Sequence, residues 1–197
     1  MDELIIYMRE FGEIGSAAEE LIRAHACEMT LGRHDIILEE GEIPSRIGYL
    51  VSGVLAAIRS NVRGDEVISW FVEDRAFATG FGDYYQQVPS RVRLEAIIES
   101  RIVFINDVAL SKVGRSVQRW DEIVRKLSQH DLIATVTKRM GIVGEDPRTR
   151  YLEFELRYPG LVERIPQSMI SNYLGIAPAT ISRIRKRMRS NVDASIT

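Results

Sequence analysis

Residues 166–189 read PQSMISNYLGIAPATISRIRKRMR, two short helical patterns on either side of a glycine. Ile170, Leu174, Ile176, Ile181 and Ile184 are apolar at the spacing that a buried seam between two crossed helices demands, and a one-residue shift breaks the agreement. Ser171 supplies a small side chain where helices crowd, and Gly175 tolerates the positive φ of a tight turn. Five cations, Arg183, Arg185, Lys186, Arg187 and Arg189, crowd the second helix. The stretch predicts a helix-turn-helix.

The charge map points the same way. The chain carries 26 Lys plus Arg against 28 Asp plus Glu. Arg164 to Arg189 holds six basic residues and no acidic one, which leaves 20 basic against 28 acidic elsewhere, a net of −8. An acidic body with one basic tip presents a single face to a polyanion. A solvated C-terminal helix with surplus arginines is the plainer alternative, and the helix-turn-helix pattern argues against it.

The 197 residues suffice for one large domain or two small ones, and 45% hydrophobic content supports a real core. No apolar run approaches the roughly 18 residues of a bilayer span, so no membrane association is expected. The start, MDELIIYMREFGEIG, lacks the basic region of a secretory signal. Cys27 is the single cysteine, which excludes an internal disulfide and a cysteine-held metal cluster within one chain. The expected compartment is the cytoplasm, with Cys27 a small apolar filler.

Residues 2–26 read as two short helices split near Gly12 and Gly15, with Ser16 and Glu19 at capping-box spacing. The period then changes. Segments near 27–31, 36–39, 47–51, 54–60, 67–72, 92–98 and 101–105 are short, rich in Val, Ile and aromatics, and separated by polar turns. They predict an antiparallel barrel or sandwich. NVRGDE (61–66) reads as a hairpin loop, and the alternation from Arg91 to Ala96 predicts one wet face. A short helical piece follows Asn106-Asp107. Ser116–Gly144 then reads as one long helix, with Val117, Trp120, Val124 and Leu127 on one stripe and Ile133, Val136, Met140 and Val143 on a slightly drifted one. Such a helix, about 28 residues and about 42 Å long, outreaches a small barrel. Part of its stripe needs another partner, most simply its own copy in a homodimer. Glu145-Asp146-Pro147 breaks it and marks a hinge, and Pro166 suits a first helical position.

This order, with its local residues, resembles the cyclic-AMP receptor protein and fumarate–nitrate regulator (Crp/Fnr) family of bacterial transcription factors. Glu40-Gly41-Glu42 and Ile47-Gly48-Tyr49-Leu50-Val51-Ser52-Gly53 are similar to the family's barrel motif, where glycines serve inter-strand turns. Arg164-Ile165-Pro166, Tyr173-Leu174-Gly175-Ile176 and Ile181-Ser182-Arg183-Ile184-Arg185-Lys186 resemble a short-tailed branch. The resemblance covers nearly the whole chain. It implies an α+β protein: an N-terminal antiparallel β-barrel (jelly-roll, cyclic-nucleotide-binding-like) with helices over 1–115, a long dimerisation helix over 116–145, and an all-α helix-turn-helix DNA-binding domain over 146–197. It implies double-stranded DNA, a second copy of the chain and RNA polymerase as partners, and a small-molecule effector in the barrel.

Carried over by residue, Arg183 is the base-reading arginine, suited to bidentate bonds with guanine. Ser168, Thr180 and Ser182 are phosphate contacts, and Arg185, Lys186 and Arg187, with Arg189, add salt-sensitive attraction. Pro178 and Ala179 depart from the family, whose members often carry polar base readers there. Ala177 is a poor N-cap. In the effector region Phe81-Gly82-Asp83-Tyr84 and Pro89-Ser90-Arg91 stand where the family has a Phe-Gly-Glu-like turn and an Arg-Ser or Arg-Thr pair. Asp83 is shorter than Glu, and the Ser-Arg order is reversed. Gly82, Asp83, Ser90 and Arg91 are therefore ligand candidates for a ribose and phosphate, or else a loop residue and a strand-edge cation. The residues point to no particular cofactor.

Two rival readings remain. A jelly-roll enzyme needs clustered histidines, yet His25, His34 and His130 fall in different predicted elements. Gly80-Phe81-Gly82 lacks a third glycine and a following helix, so no phosphate loop is expected. No catalytic or metal residue is assigned. The other rival is a protein-interaction module whose helix-turn-helix does not read DNA.

Overall fold

The computed structural model describes residues 1–78, 81–139 and 146–194. The chain divides into two compact units, Met1–Ala134 and Thr135–Thr197.

In the first unit, α1 (Asp2–Arg9) and α2 (Ser16–His25) precede β1 (Cys27–Leu31), β2 (Ile36–Leu38), β3 (Arg46–Ser52), β4 (Val54–Ser60), β5 (Glu66–Glu73) and β6 (Ala76–Phe77). Then come α3 (Phe81–Gln86), β7 (Arg93–Ala96), β8 (Ser100–Asn106), α4 (Asp107–Ser116) and α5 (Trp120–Arg139). The described strands form two four-stranded antiparallel sheets, ordered β1-β8-β3-β6 and β2-β7-β4-β5, and hydrogen bonding does not close them into one barrel. The chain crosses from one sheet to the other at a glycine. β3 and β4 are consecutive but belong to different sheets, and Gly53 between them takes φ 125°, where a Cβ would strike Ser100. The other motif glycines divide: Gly41 also has positive φ, whereas Gly48 lies within β3, where the Ile102 and Phe104 side chains close over it.

Strand periodicity sorts the core. On the first sheet, Ile47, Tyr49, Val51, Phe77, Val103 and Ile105 face the helices and pack on Leu4, Ile5, Ile22, Val113 and Ile123. Leu50, Ile102 and Phe104 face the second sheet and meet Leu55, Val72 and Ala96. Ile37 and Trp70 join this core to the smaller cluster of Leu38, Ala57, Val92 and Leu94. The central strands β3 and β8 of the first sheet are thus buried on both faces, whereas β1 is exposed from Cys27 to Thr30.

The structure corrects several expectations. Ser16 is not a cap: Gly15 stands at the N-cap of α2, and Glu19 pairs with Arg9 instead. A two-residue strand, β6, and a short helix, α3, occur where the sequence predicts neither. The long helix starts at Trp120, not Ser116, because the chain breaks at Val117–Arg119, where Arg119 has φ 60°. Met140 to Glu145, with the far end of that helix and part of the hinge, lie outside the described residues. Within α5 the two halves of the helix differ in burial. Ile123 and Leu127 are buried, whereas Leu132 is 62% and Ile133 66% exposed. Among the described residues no helix is long and apolar enough to cross a membrane.

The expected wet face of β7 is not wet. Glu95 is only 8% exposed, because Arg93 donates to its carboxylate (2.8 Å) and His34 Nδ1 lies 2.7 Å from it. Burial works to raise this carboxyl, but the bonds from His34 and Arg93 outweigh it and hold the group below its ordinary 4.5. Its contribution to stability is therefore complete above that value and is lost as the pH falls through the folded-state value. Glu95→Gln is expected to lower the thermal midpoint at neutral pH and to flatten its acid limb as the pH falls below the group's ordinary 4.5. A melting series across pH checks this, and an acid limb parallel to the parent's would contradict it.

Candidate nucleic-acid interface

The second unit contains α6 (Pro147–Arg157), α7 (Leu161–Arg164), α8 (Gln167–Leu174) and α9 (Pro178–Ala194). Asp146 caps α6, accepting from the Arg148 N–H (2.9 Å) and the Thr149 hydroxyl (2.5 Å), with Pro147 at the first helical position. Pro166 is the residue before α8 rather than its first. Ile170, Leu174, Ile176, Ile181 and Ile184 are all buried, and Ser171 is buried beside them. Tyr151, Phe154, Tyr158 and Leu161 are buried in the same unit, with Phe154, Tyr158 and Tyr173 packed ring against ring. Full burial of each such side chain is worth about 1.5–3 kcal/mol.

The turn between α8 and α9 rests on two features. Gly175 adopts φ 61° and ψ 38°, its N–H donating to Asn172 O while the Ile176 N–H donates to Ser171 O. Arg150 of α6 donates from Nη1 to Leu174 O (2.7 Å), satisfying a carbonyl at the helix end. Sequence reasoning missed Arg150, since nothing local distinguishes it from a solvated cation.

The apolar seam decides which side of α9 is wet. With Ile181 and Ile184 inward, Ala179, Ser182, Arg183, Lys186 and Arg187 are exposed, and Thr180 and Arg185 are half-buried. Ser168 is exposed near the start of α8, and the Arg189 side chain lies outside the described residues. Arg183 Nε donates to Ala179 O one turn back (3.2 Å), which lays the guanidinium along the helix and leaves its two terminal nitrogens as outward donors. Gln167 was also missed. Its amide donates to Pro178 O (3.0 Å) and to Ser182 Oγ (2.9 Å), tying the first residue of α8 to the first turn and a half of α9. Ser182 accepts from Gln167, so its own hydroxyl proton remains for an outside acceptor.

The effector candidates belong to the first unit. Gly82 is exposed and Asp83 half-buried on α3. Ser90 is buried: its hydroxyl donates to Val92 O (3.0 Å) and accepts from the Val92 N–H (3.3 Å), while its backbone pairs with Gly41 and Glu42. Arg91 is exposed at the approach to β7.

No protein-family model and no curated protein matches the chain. Solved structures do. The c-di-GMP-responsive global regulator CLP of Xanthomonas campestris is 14% identical, with 90% of this chain and 93% of that chain covered at a TM-score of 0.66. FixK2 of Bradyrhizobium japonicum is 18% identical, with 84% and 85% covered at a TM-score of 0.66. A protein from Eubacterium rectale, assigned to the Crp/Fnr family of transcriptional regulators, is 15% identical, with 90% and 84% covered at a TM-score of 0.67. The fold of this chain is therefore that of these regulators.

Gly175 tests the turn. A Cβ there would meet only Arg150 Nη1 at 3.9 Å, an ordinary contact, so the penalty of Gly175→Ala is conformational. The variant is expected to lose about 1–2 kcal/mol, the price of a left-handed alanine. Denaturant unfolding of the full chain measures it, and an unchanged midpoint would contradict the assigned turn.

Proposed function

We propose that the chain is a homodimeric, DNA-binding transcription regulator of the Crp/Fnr type. On this reading residues 1–115 are a sensor domain whose two sheets form a jelly-roll. Residues 116–145 are the dimerisation segment, and 146–197 a helix-turn-helix domain with α9 as recognition helix. The carrying observation is the exposed face of α9, where Arg183, Lys186 and Arg187 point outward over buried Ile181 and Ile184. The six cations and no anions from Arg164 to Arg189, against a net −8 elsewhere, support it. So does the shared fold with solved regulators. Arg183 reads guanine; Ser168, Thr180 and Ser182 hold phosphates; Arg185, Lys186 and Arg187 supply salt-sensitive attraction. Such a regulator works beside the bacterial genome, in the cytoplasm, and meets RNA polymerase there.

Arg183→Ala is expected to cost about 1–3 kcal/mol on the preferred duplex and little on random DNA, whereas Lys186→Ala weakens all duplexes alike and lowers the salt slope by about one. Titrations over a salt series separate the two. Equal losses on both duplexes, or no binding at low salt, would favour an interaction module instead.

The dimer rests on the exposed apolar side of α5, Leu132, Ile133 and Val136. Pairing through this side would set two recognition helices about 34 Å apart, one turn of duplex. Ile133→Glu is expected to convert the dimer to monomer in light scattering and to weaken binding to two-half-site DNA. A dimer that survives the change would move the interface off α5.

For an effector, Gly82, Asp83 and Arg91 are the available groups, and Ser90 would have to release Val92 to join them. A ligand acts only if it favours one dimer state, through the hinge near Glu145–Pro147.

A further inference from the structure

We infer that Ala179 is a specificity residue: its methyl group selects a thymine one or two base pairs from the guanine read by Arg183. The inference rests on the DNA-binding reading and deepens it.

Ala179 is exposed in the first turn of α9, four residues before Arg183. At 3.6 residues per turn these positions differ by about 40° around the helix, so both face the same groove. The bond from Arg183 Nε to Ala179 O (3.2 Å) joins the two residues directly. It fixes the guanidinium alongside Ala179 and leaves the terminal nitrogens for guanine O6 and N7.

Position 179 offers hydrocarbon and nothing else. Pro178 before it is also apolar, but lies about 140° around the helix from Arg183, and its carbonyl is taken by Gln167. On the major-groove floor the one apolar group is the C5-methyl of thymine. Adenine or cytosine there would turn an amino group toward a side chain without an acceptor, at a desolvation penalty. The register follows from dimensions: four helical residues rise about 6 Å, against 3.4 Å per base step. Gln167 holds the first turn to α8 through Pro178 O and Ser182 Oγ, so Ala179 enters the groove at a set depth.

The test uses the full-length protein and duplexes selected from a randomised pool. The enriched half-site is expected to contain a guanine whose replacement is suppressed in Arg183→Ala, with a thymine within two pairs of it. Replacing that thymine by deoxyuridine removes one methyl and is expected to weaken binding about fourfold per half-site. The same replacement should have no effect on Ala179→Gly. Ala179→Glu is expected to move the preference from thymine to cytosine, whose N4 amine donates to a carboxylate. The deoxyuridine arm leaves the protein untouched, so it stands even if a variant misfolds. An enriched site with guanine but no neighbouring thymine overturns the role of Ala179, as does an equal deoxyuridine effect in parent and Ala179→Gly. No enrichment at low salt overturns the DNA-binding reading itself.

Discussion

The seam between α8 and α9 is the constraint on which the candidate interface depends. Once Ile170, Leu174, Ile176, Ile181 and Ile184 turn inward, the helical period leaves the cations of α9 no other side to occupy. The positive face is thus a consequence of apolar burial rather than of any attraction among charges. The turn that closes the seam needs one left-handed residue, and Gly175 supplies it at little conformational expense. The remaining polar loose end, the Leu174 carbonyl, is met from α6 by Arg150.

The first unit solves a different problem. A strand buried on both faces needs apolar residues at successive positions, and β3 runs buried from Ile47 to Val51. Its odd positions meet helices and its even ones the second sheet. The buried carboxylate of Glu95 persists in this unit with partners on it, His34 and Arg93.

The two halves of α5 connect fold to proposed assembly. Tyr7, whose hydroxyl burial pushes up to about 12, lies 3.3 Å from His130 Nδ1, and Ile123 and Leu127 are buried against the unit's own core. Beyond them Leu132 and Ile133 have no such cover. A helix with one half satisfied and one half exposed suits a dimer contact better than a lone solvent-facing helix.

Local patterning settled much of this protein before any tertiary contact was known. Period 3.6 located the seam residues and the glycine turn, and period 2 with polar turns located seven of the eight described strands. Those signals are short-range, because backbone geometry and one-sided burial act within a few residues. What they could not settle depends on residues far apart in the chain. Glu95 meets His34 across 61 positions, Arg150 reaches Leu174 across 24, and Gln167 reaches Ser182 across 15. The same holds for the split into two sheets, the two-residue β6 and the helix break at Arg119. Each follows from how packed elements compete for space and hydrogen bonds, and a sequence pattern carries no record of that competition.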